Sequence, residues 1–125
     1  MPVAEMARRK ILIVDDEPDI LRLVEVVLTS EWSVLCASDG AEALEIARRE
    51  RPFAILLDAR MPGGSGFETL ERLRAQSDTS ATPVILMTAL ARGSDRGIPP
   101  GFAGVIAKPF DPITLPQQIR DILKS

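Results

Sequence analysis

The sequence predicts an α/β fold, a doubly wound five-stranded parallel sheet flanked by helices, on two observations. First, five short apolar runs alternate with stretches whose apolar residues recur at helical spacing, an order typical of this class. Second, most of the runs are continuously apolar, as expected for strands buried on both faces of a parallel sheet. With 125 residues and 46% hydrophobic content, the chain suits one core, and we expect a short tail at 1–9 and one domain at 10–124.

The predicted elements follow one another in alternation. The predicted strands are Lys10–Val14, Ser33–Ala37, Ala54–Leu57, Val84–Met87 and Gly104–Ala107. Helical spacing marks the stretches "PDILRLVEVVLTS", "GAEALEIARRE" and "GFETLERLRAQ", and a last helix near 111–123. On the second helix, Glu45 is placed to pair with Arg49 one turn later. We expect Cys36 to pack within an interior strand of the sheet.

Two regions predict irregular helices. After the fourth strand come Gly93, Gly97, Pro99, Pro100 and Gly101, and in a helix interior each Gly costs about 1 kcal/mol and each Pro about 3. A helix here, the fourth in chain order, would be atypically short and would run at most from Ala89 to Ile98. The last helix begins either at Asp111–Pro112, as a cap and a first-position proline, or later, through a capping box of Thr114 and Gln117.

Polar residues follow the apolar runs at the points where the predicted strands end. Asp15 and Asp16 follow the first run, Asp58 the third, Thr88 the fourth and Lys108 the fifth. Because the carboxyl ends of parallel strands share one edge of the sheet, where open α/β folds place their sites, these side chains should converge. Carboxylates crowded together repel one another, so the pattern predicts a cation among them, with Lys108 as a second, fixed charge.

The residue types favour one kind of chemistry at this edge. All candidate ligands are oxygens, which suits Mg²⁺, or alternatively Mn²⁺, and disfavours zinc. A carboxylate nucleophile, a magnesium ion, a hydroxyl and a lysine are the parts of a phosphoryl-transfer site. Taken alone, Asp15–Asp16 is equally well explained as a helix N-terminal cap, but Asp58 and Lys108 at matching strand ends favour the site. Glu17 is expected to be solvated or to cap the helix.

Composition excludes several other functions. The sequence has no histidine, so His triads, His metal sites and His acid–base catalysis are excluded within this chain. The net charge of −3 argues against direct nucleic-acid binding. No apolar run approaches the roughly 18 residues of a membrane span, and the start lacks the apolar region of a signal peptide. Cys36 is the only cysteine, so no internal disulfide forms, which fits a reducing, cytoplasmic compartment.

Four motifs in order, each at a predicted strand end, are together highly specific: "LIVDDE", "LLDARMPGGSG", "LMTA" and "AKPF". On these motifs residues 10–124 resemble a response-regulator receiver domain of the chemotaxis-regulator type, a flavodoxin-like fold of two-component signalling. The resemblance implies a phosphorylation-activated switch. Its phosphoryl donor would be the phosphohistidine of a histidine kinase or histidine phosphotransfer protein, and it would act on a further protein target. It would be no enzyme beyond its own phosphoryl transfer and aspartyl-phosphate hydrolysis.

The resemblance also implies a role for each site residue. Asp58 is the expected phosphoacceptor, and Thr88 and Lys108 are the expected phosphate-binding switch residues. The metal ligands are expected to be Asp15, Asp16, Asp58 and the backbone carbonyl of Arg60, with Asp16 direct and Asp15 acting through water. The Lys108–Pro109 bond is expected to be cis, a form that is much less costly before proline than elsewhere.

Two departures from the family pattern concern the output. Val105 stands three positions before the lysine, where the family usually has an aromatic switch residue. Between Thr88 and Lys108, where family members usually carry a full fourth helix, the segment is short and rich in Gly and Pro. We therefore expect phosphorylation to act by ordering this segment.

Two other functions remain as alternatives. A haloacid-dehalogenase-type phosphatase would use the same chemistry, but such enzymes usually carry a second acid two residues after the nucleophile, where this chain has Arg60, and the chain lacks a cap domain. A phosphorylation-independent interaction module of receiver fold stays open because of the unusual 89–105 segment, but the retention of all five polar site residues counts against it.

Overall fold

The computed structural model describes residues 8–61, 64–89 and 97–124. Its sheet is built from β1 (Arg9–Val14), β2 (Trp32–Ala37), β3 (Ala54–Asp58), β4 (Val84–Thr88) and β5 (Gly104–Ala107). All neighbours pair in parallel, in the order β2-β1-β3-β4-β5. The predicted five-stranded parallel sheet is confirmed.

Helices cover both faces of the sheet. They are α1 (Pro18–Leu28), α2 (Gly40–Glu50), α3 (Gly66–Ala75) and α4 (Leu115–Lys124). On β1, Ile11 and Ile13 pack with residues of α1 and α4, whereas Leu12 and Val14 pack with residues of α2 and α3. Both sets are fully buried, which explains why the strand is continuously apolar.

Local hydrogen bonds fix where α2 and α3 begin. The Asp39 side chain accepts a hydrogen bond from the Glu42 N–H at 2.8 Å and caps α2. At the start of α3, the Ser65 hydroxyl accepts from the Glu68 N–H at 3.2 Å, and the Glu68 carboxylate accepts from the Ser65 N–H at 2.9 Å. This reciprocal pair is a capping box, which anchors the first turn of α3.

The last helix takes the later of its two predicted starts. Because α4 begins at Leu115, Pro116 falls in the first turn, where its missing N–H leaves no hydrogen bond unmade. The proposed capping box is not closed, since the Thr114 N–H donates to the Asp111 carbonyl at 3.1 Å and Gln117 Oε1 accepts from Arg120 at 2.7 Å. Among the residues that the structure describes, no helix is long and apolar enough to cross a membrane.

Two expectations about side chains and strand order are wrong, and one lies outside the described residues. Arg49 Nε lies 3.4 Å from Glu50 Oε2, so its ion pair is with its neighbour and not with Glu45. Cys36 lies on β2, which is an edge strand. The predicted short fourth helix falls mainly on residues 90–96, beyond what the structure describes. In the following stretch the Phe102 N–H donates to the Pro99 carbonyl at 3.2 Å.

Candidate functional site

The ends of four strands bring polar side chains to one edge of the sheet. Asp15 directly follows β1, Asp58 and Thr88 are the last residues of β3 and β4, and Lys108 directly follows β5. An open cleft of about 520 Å³ lies at this edge. Its lining residues are Asp16, Glu17, Asp58, Ala59, Arg60, Thr88, Ala89 and Lys108. The structure therefore brings together the side chains predicted to converge.

Lys108 is the positive centre of the site. Its Nζ lies 2.8 Å from Asp15 Oδ2, 3.4 Å from Asp58 Oδ1 and 3.7 Å from Glu17 Oε1. The Lys108–Pro109 peptide bond is cis, as expected. The backbone N–H of Lys108 donates to the Thr88 carbonyl at 3.1 Å, so the ends of β4 and β5 are joined beside the cleft.

Burial and neighbouring charges shift the pKa values of this cluster. Burial raises the pKa of the Asp58 carboxyl and the Asp15 charge adds to the effect, while Lys108 opposes both. Burial alone would lower the pKa of the Lys108 ammonium, but its contacts with Asp15 and Asp58 outweigh burial and hold that pKa above its usual value. Lys108 is therefore charged at neutral pH and compensates buried carboxylates.

Three carboxylates lie close enough together to share a metal ion. Asp15, Asp16 and Asp58 each offer an oxygen atom, and these atoms all lie within 4.8 Å of one another. Asp15 is wholly buried, and its Oδ1 accepts from the Glu17 N–H at 3.0 Å, whereas Asp16 is exposed to the cleft. A set of carboxylate oxygens without nitrogen or sulfur ligands fits a hard divalent cation such as Mg²⁺ or Mn²⁺.

A short antiparallel ladder follows β3 and turns the chain back beside Asp58. It pairs Arg60–Met61 with Gly64–Ser65. The next residue, Gly66, begins α3 and lies against the backbone of β3, since a Cβ atom there would stand 2.6 Å from the Asp58 carbonyl oxygen. Glycine at this position therefore lets the N-terminus of α3 approach the end of β3.

The backbone of Arg60 faces the cleft. The Gly66 N–H donates to the Ala59 carbonyl at 3.0 Å, so Ala59 and Gly66 form a hydrogen-bonded pair. Along an antiparallel ladder, hydrogen-bonded pairs alternate with non-hydrogen-bonded pairs. Arg60 and Ser65 are consequently the non-hydrogen-bonded pair, so the N–H and C=O groups of Arg60 point away from Ser65. In agreement, the Arg60 N–H lies 3.5 Å from Asp58 Oδ1.

Glu17 belongs to the site more closely than its sequence context indicated. Its side chain is mostly exposed, as expected, and makes no capping hydrogen bond although the residue precedes α1. Its carboxylate nevertheless lines the cleft within 3.7 Å of Lys108 Nζ. The sequence feature that could have indicated this role is the position of Glu17 directly after Asp15–Asp16, at the same strand end.

Comparison with known proteins agrees with this geometry. The family model described as the response regulator receiver domain matches residues 11–120. A probable transcriptional regulator, ycf27, of Porphyridium aerugineum is 41% identical over 122 residues, which are 95% of this chain and 50% of that protein. Response regulator PleD of Caulobacter vibrioides is 39% identical over 118 residues, 92% of this chain and 26% of that protein. The chain thus spans half or less of the length of these relatives.

Solved structures show the same fold. The chemotaxis response regulator CheY4 of Vibrio cholerae superimposes with a TM-score of 0.82 at 32% identity, covering 93% of this chain and 99% of that one. The receiver domain of sensor histidine kinase PA1611 of Pseudomonas aeruginosa, solved with a magnesium ion coordinated in its active site cleft, gives 0.81 at 32% identity, covering 95% and 100%. This chain belongs to the response regulator receiver domains, the phosphorylation-activated switch modules of two-component signalling.

Proposed function

We propose that Asp58 accepts a phosphoryl group from the phosphohistidine of a partner histidine kinase or histidine phosphotransfer protein. An oxygen of Asp58 attacks the phosphorus atom, the new O–P bond forms as the N–P bond breaks, and the partner's imidazole leaves. The donor histidine must come from the partner because this sequence has none. The observation that carries the proposal is the position of Asp58, at the cleft and 3.4 Å from the Lys108 ammonium.

The acidic cluster supports binding of Mg²⁺, or of Mn²⁺, beside the nucleophile. Asp16 and Asp58 would be direct ligands, together with the carbonyl of Arg60, whose backbone faces Asp58. Asp15 would act through a water molecule, since one of its oxygens is engaged by Lys108 and the other by a backbone N–H. When bound, the cation neutralises charge on the transferring phosphoryl group. The magnesium ion in the active site cleft of the similar Pseudomonas receiver domain supports this assignment by homology.

Thr88 and Lys108 would hold the phosphoryl group once it is on Asp58. Lys108 is charged and already beside the carboxylate, so its ammonium can shift from Asp15 toward a phosphoryl oxygen. Thr88 borders the same cleft at the end of β4, from which its hydroxyl can donate to another phosphoryl oxygen. These two new contacts would bias the switch between its two conformations.

Acetyl phosphate with Mg²⁺ tests the nucleophile directly, because it supplies a phosphoryl group without a partner protein. We expect mass spectrometry after borohydride trapping to place the label on Asp58. Asp58→Asn should abolish labelling, whereas the matched control Asp19→Asn, an exposed carboxylate in the first turn of α1, should leave it intact. A label on Asp15 or Asp16 would overturn the assignment.

The same experiment separates the alternatives. A protein that stays unlabelled with acetyl phosphate and with a panel of phosphorylated histidine kinases would favour a phosphorylation-independent interaction module. Steady release of phosphate from small phosphoesters would favour a phosphatase. We propose that the domain instead catalyses only its own phosphorylation and dephosphorylation, in the cytoplasm, and passes the signal to a protein target without binding nucleic acid itself.

A further inference from the structure

The outer side of β2 is an open edge of the sheet. The sheet order makes β2 and β5 the two edge strands, and no described strand pairs with the outer side of either. β5 has only four residues and is followed by Lys108 and Pro109, two features that discourage pairing at an edge. β2 has six residues, "WSVLCA", with neither a charged residue nor a proline. Of the two edges, β2 is therefore the one suited to pair with another strand.

The hydrogen bonds to β1 show which backbone groups of β2 point outward. The Asp15 N–H donates to the Ala37 carbonyl at 3.1 Å, and the bonds of a parallel pair recur at every second residue. Ser33 and Leu35 therefore turn their N–H and C=O groups toward β1, as Ala37 does. The N–H and C=O groups of the remaining strand residues, Trp32, Val34 and Cys36, point away from β1, toward the open side of β2.

Near the start of this edge the charge of Glu31 is compensated by its ion pair with Arg120, so Arg8 leaves the start positive, whereas Glu42 makes the other end negative. At its start, Arg8 Nη1 donates to the Thr29 carbonyl at 3.0 Å, which holds the guanidinium just before β2. At its end, Glu42 Oε1 accepts from the Ser38 N–H at 2.8 Å, which holds the carboxylate just after β2. Burial, and then the charges of Glu25 and Glu42, raise the pKa of Cys36, which agrees with acidic groups near this end of the strand.

We propose that β2 pairs with β2 of a second copy of this chain, antiparallel and centred on Val34, so that two five-stranded sheets join across a two-fold axis. The outward groups of Val34 then pair with those of the second copy's Val34, and the groups of Trp32 pair with those of the second copy's Cys36. Every outward donor on the strand meets an acceptor. The contact is isologous, as most closed dimers require.

The charges at the two ends of β2 favour a second copy of this chain as the partner and favour antiparallel pairing of the two strands. In the antiparallel arrangement Ser30 lies opposite the second copy's Ser38, so Arg8 of each copy comes beside Glu42 of the other. A parallel arrangement would set Arg8 against Arg8 and Glu42 against Glu42. An unrelated strand with only basic residues would complement one end and be repelled at the other.

Sedimentation velocity of the intact chain, from micromolar to millimolar concentration, tests the proposal. We expect the wild-type mass to rise toward twice the monomer value. Arg8→Glu alone and Glu42→Arg alone should each keep the chain monomeric over this range, and the double variant Arg8→Glu/Glu42→Arg should dimerise again. A chain that is monomeric throughout, or a dimer unaffected by either single change, would overturn the proposal.

Cross-linking and hydrogen exchange identify the face involved. Residue 34 of each copy faces its counterpart in a hydrogen-bonded antiparallel pair, with Cα atoms about 5.5 Å apart, within the span of a disulfide. Oxidation should thus link Val34→Cys in a Cys36→Ser background but not the wild-type chain, whose Cys36 lies opposite Trp32. Dimerisation should also slow exchange of the Val34 and Cys36 amides. A dimer without the Val34→Cys link and without this protection uses another surface and refutes the pairing.

Discussion

Replacing Lys108 by methionine should make the stability of this domain depend on a divalent cation. Lys108 Nζ lies 2.8 Å from Asp15 Oδ2 and 3.4 Å from Asp58 Oδ1. Methionine keeps much of the aliphatic side chain but removes the charge. The Asp15 carboxylate, which has no exposed surface, would then face Asp58 without a compensating cation.

The size of the expected loss depends on the burial of this ion pair. Removing one partner of a buried pair costs about 3–5 kcal/mol. We expect the lower value, since the Lys108 side chain keeps 16% of its surface exposed and Asp58 borders the open cleft. For a domain of this size, about 3 kcal/mol lowers the midpoint of thermal unfolding by roughly 10 °C. Lys124→Met, at an exposed position in the last turn of α4, is the control and should change stability by less than about 0.5 kcal/mol.

Magnesium should reverse much of this loss. Without the lysine, the three carboxylates attract a cation more strongly, and a ligand at 100 times its Kd stabilises the folded state by about 2.7 kcal/mol. Circular dichroism melts in EDTA and in a magnesium series, for wild type and both variants, measure the effect. Two results would contradict the compensation of the carboxylates by Lys108. One is that Lys108→Met and the wild type unfold at the same temperature in EDTA. The other is that magnesium raises the unfolding midpoints of Lys108→Met and the wild type equally.

Three further changes test contacts away from the nucleophile. Arg74→Met removes guanidinium hydrogen bonds to three backbone carbonyls in the loops before β4 and β5, and should cost about 2–3 kcal/mol in urea unfolding; a loss below about 0.5 kcal/mol would make these bonds irrelevant to stability. Gly66→Ala forces a Cβ against the Asp58 carbonyl, so it should cost about 1–3 kcal/mol and also slow acetyl phosphate labelling; unchanged labelling would show that this approach does not position Asp58. Ser65→Ala opens the capping box with Glu68 and should cost about 1 kcal/mol with labelling of the refolded protein unchanged; reduced labelling would mean that the cap also positions the site.

The sequence carried most of the information on this fold because its strands are buried on both faces. Uninterrupted apolar runs revealed the parallel sheet, and parallel strands place their carboxyl ends at one edge. The convergence of Asp15, Asp58 and Lys108 could therefore be predicted from their positions at the ends of these runs. Strand order could not, because pattern alone does not say which strand lies outermost. Cys36 was for this reason expected inside the sheet, although β2 is an edge strand.

Contacts made by long polar side chains were equally hidden from the sequence. Arg74 is one of several arginines near helix ends, and no spacing rule distinguishes it from its neighbours. In the structure it donates to the carbonyls of Thr79, Thr82 and Gly101. Glu17 was expected to be solvated or to cap the helix, and its distance to Lys108 depends on where β5 ends relative to β1. Both contacts depend on tertiary geometry, whereas local pattern reports only burial and period.

The link between Lys108 and Asp15 joins positions 93 residues apart in the chain. During synthesis the first acidic residues leave the ribosome long before the lysine that neutralises them, so an unfinished chain holds a cluster of uncompensated carboxylates. Such a chain can neither close its sheet with β5 nor present the complete site. The acidic cluster of a domain under translation would accordingly stay without its lysine until Lys108 has been added and has left the ribosome.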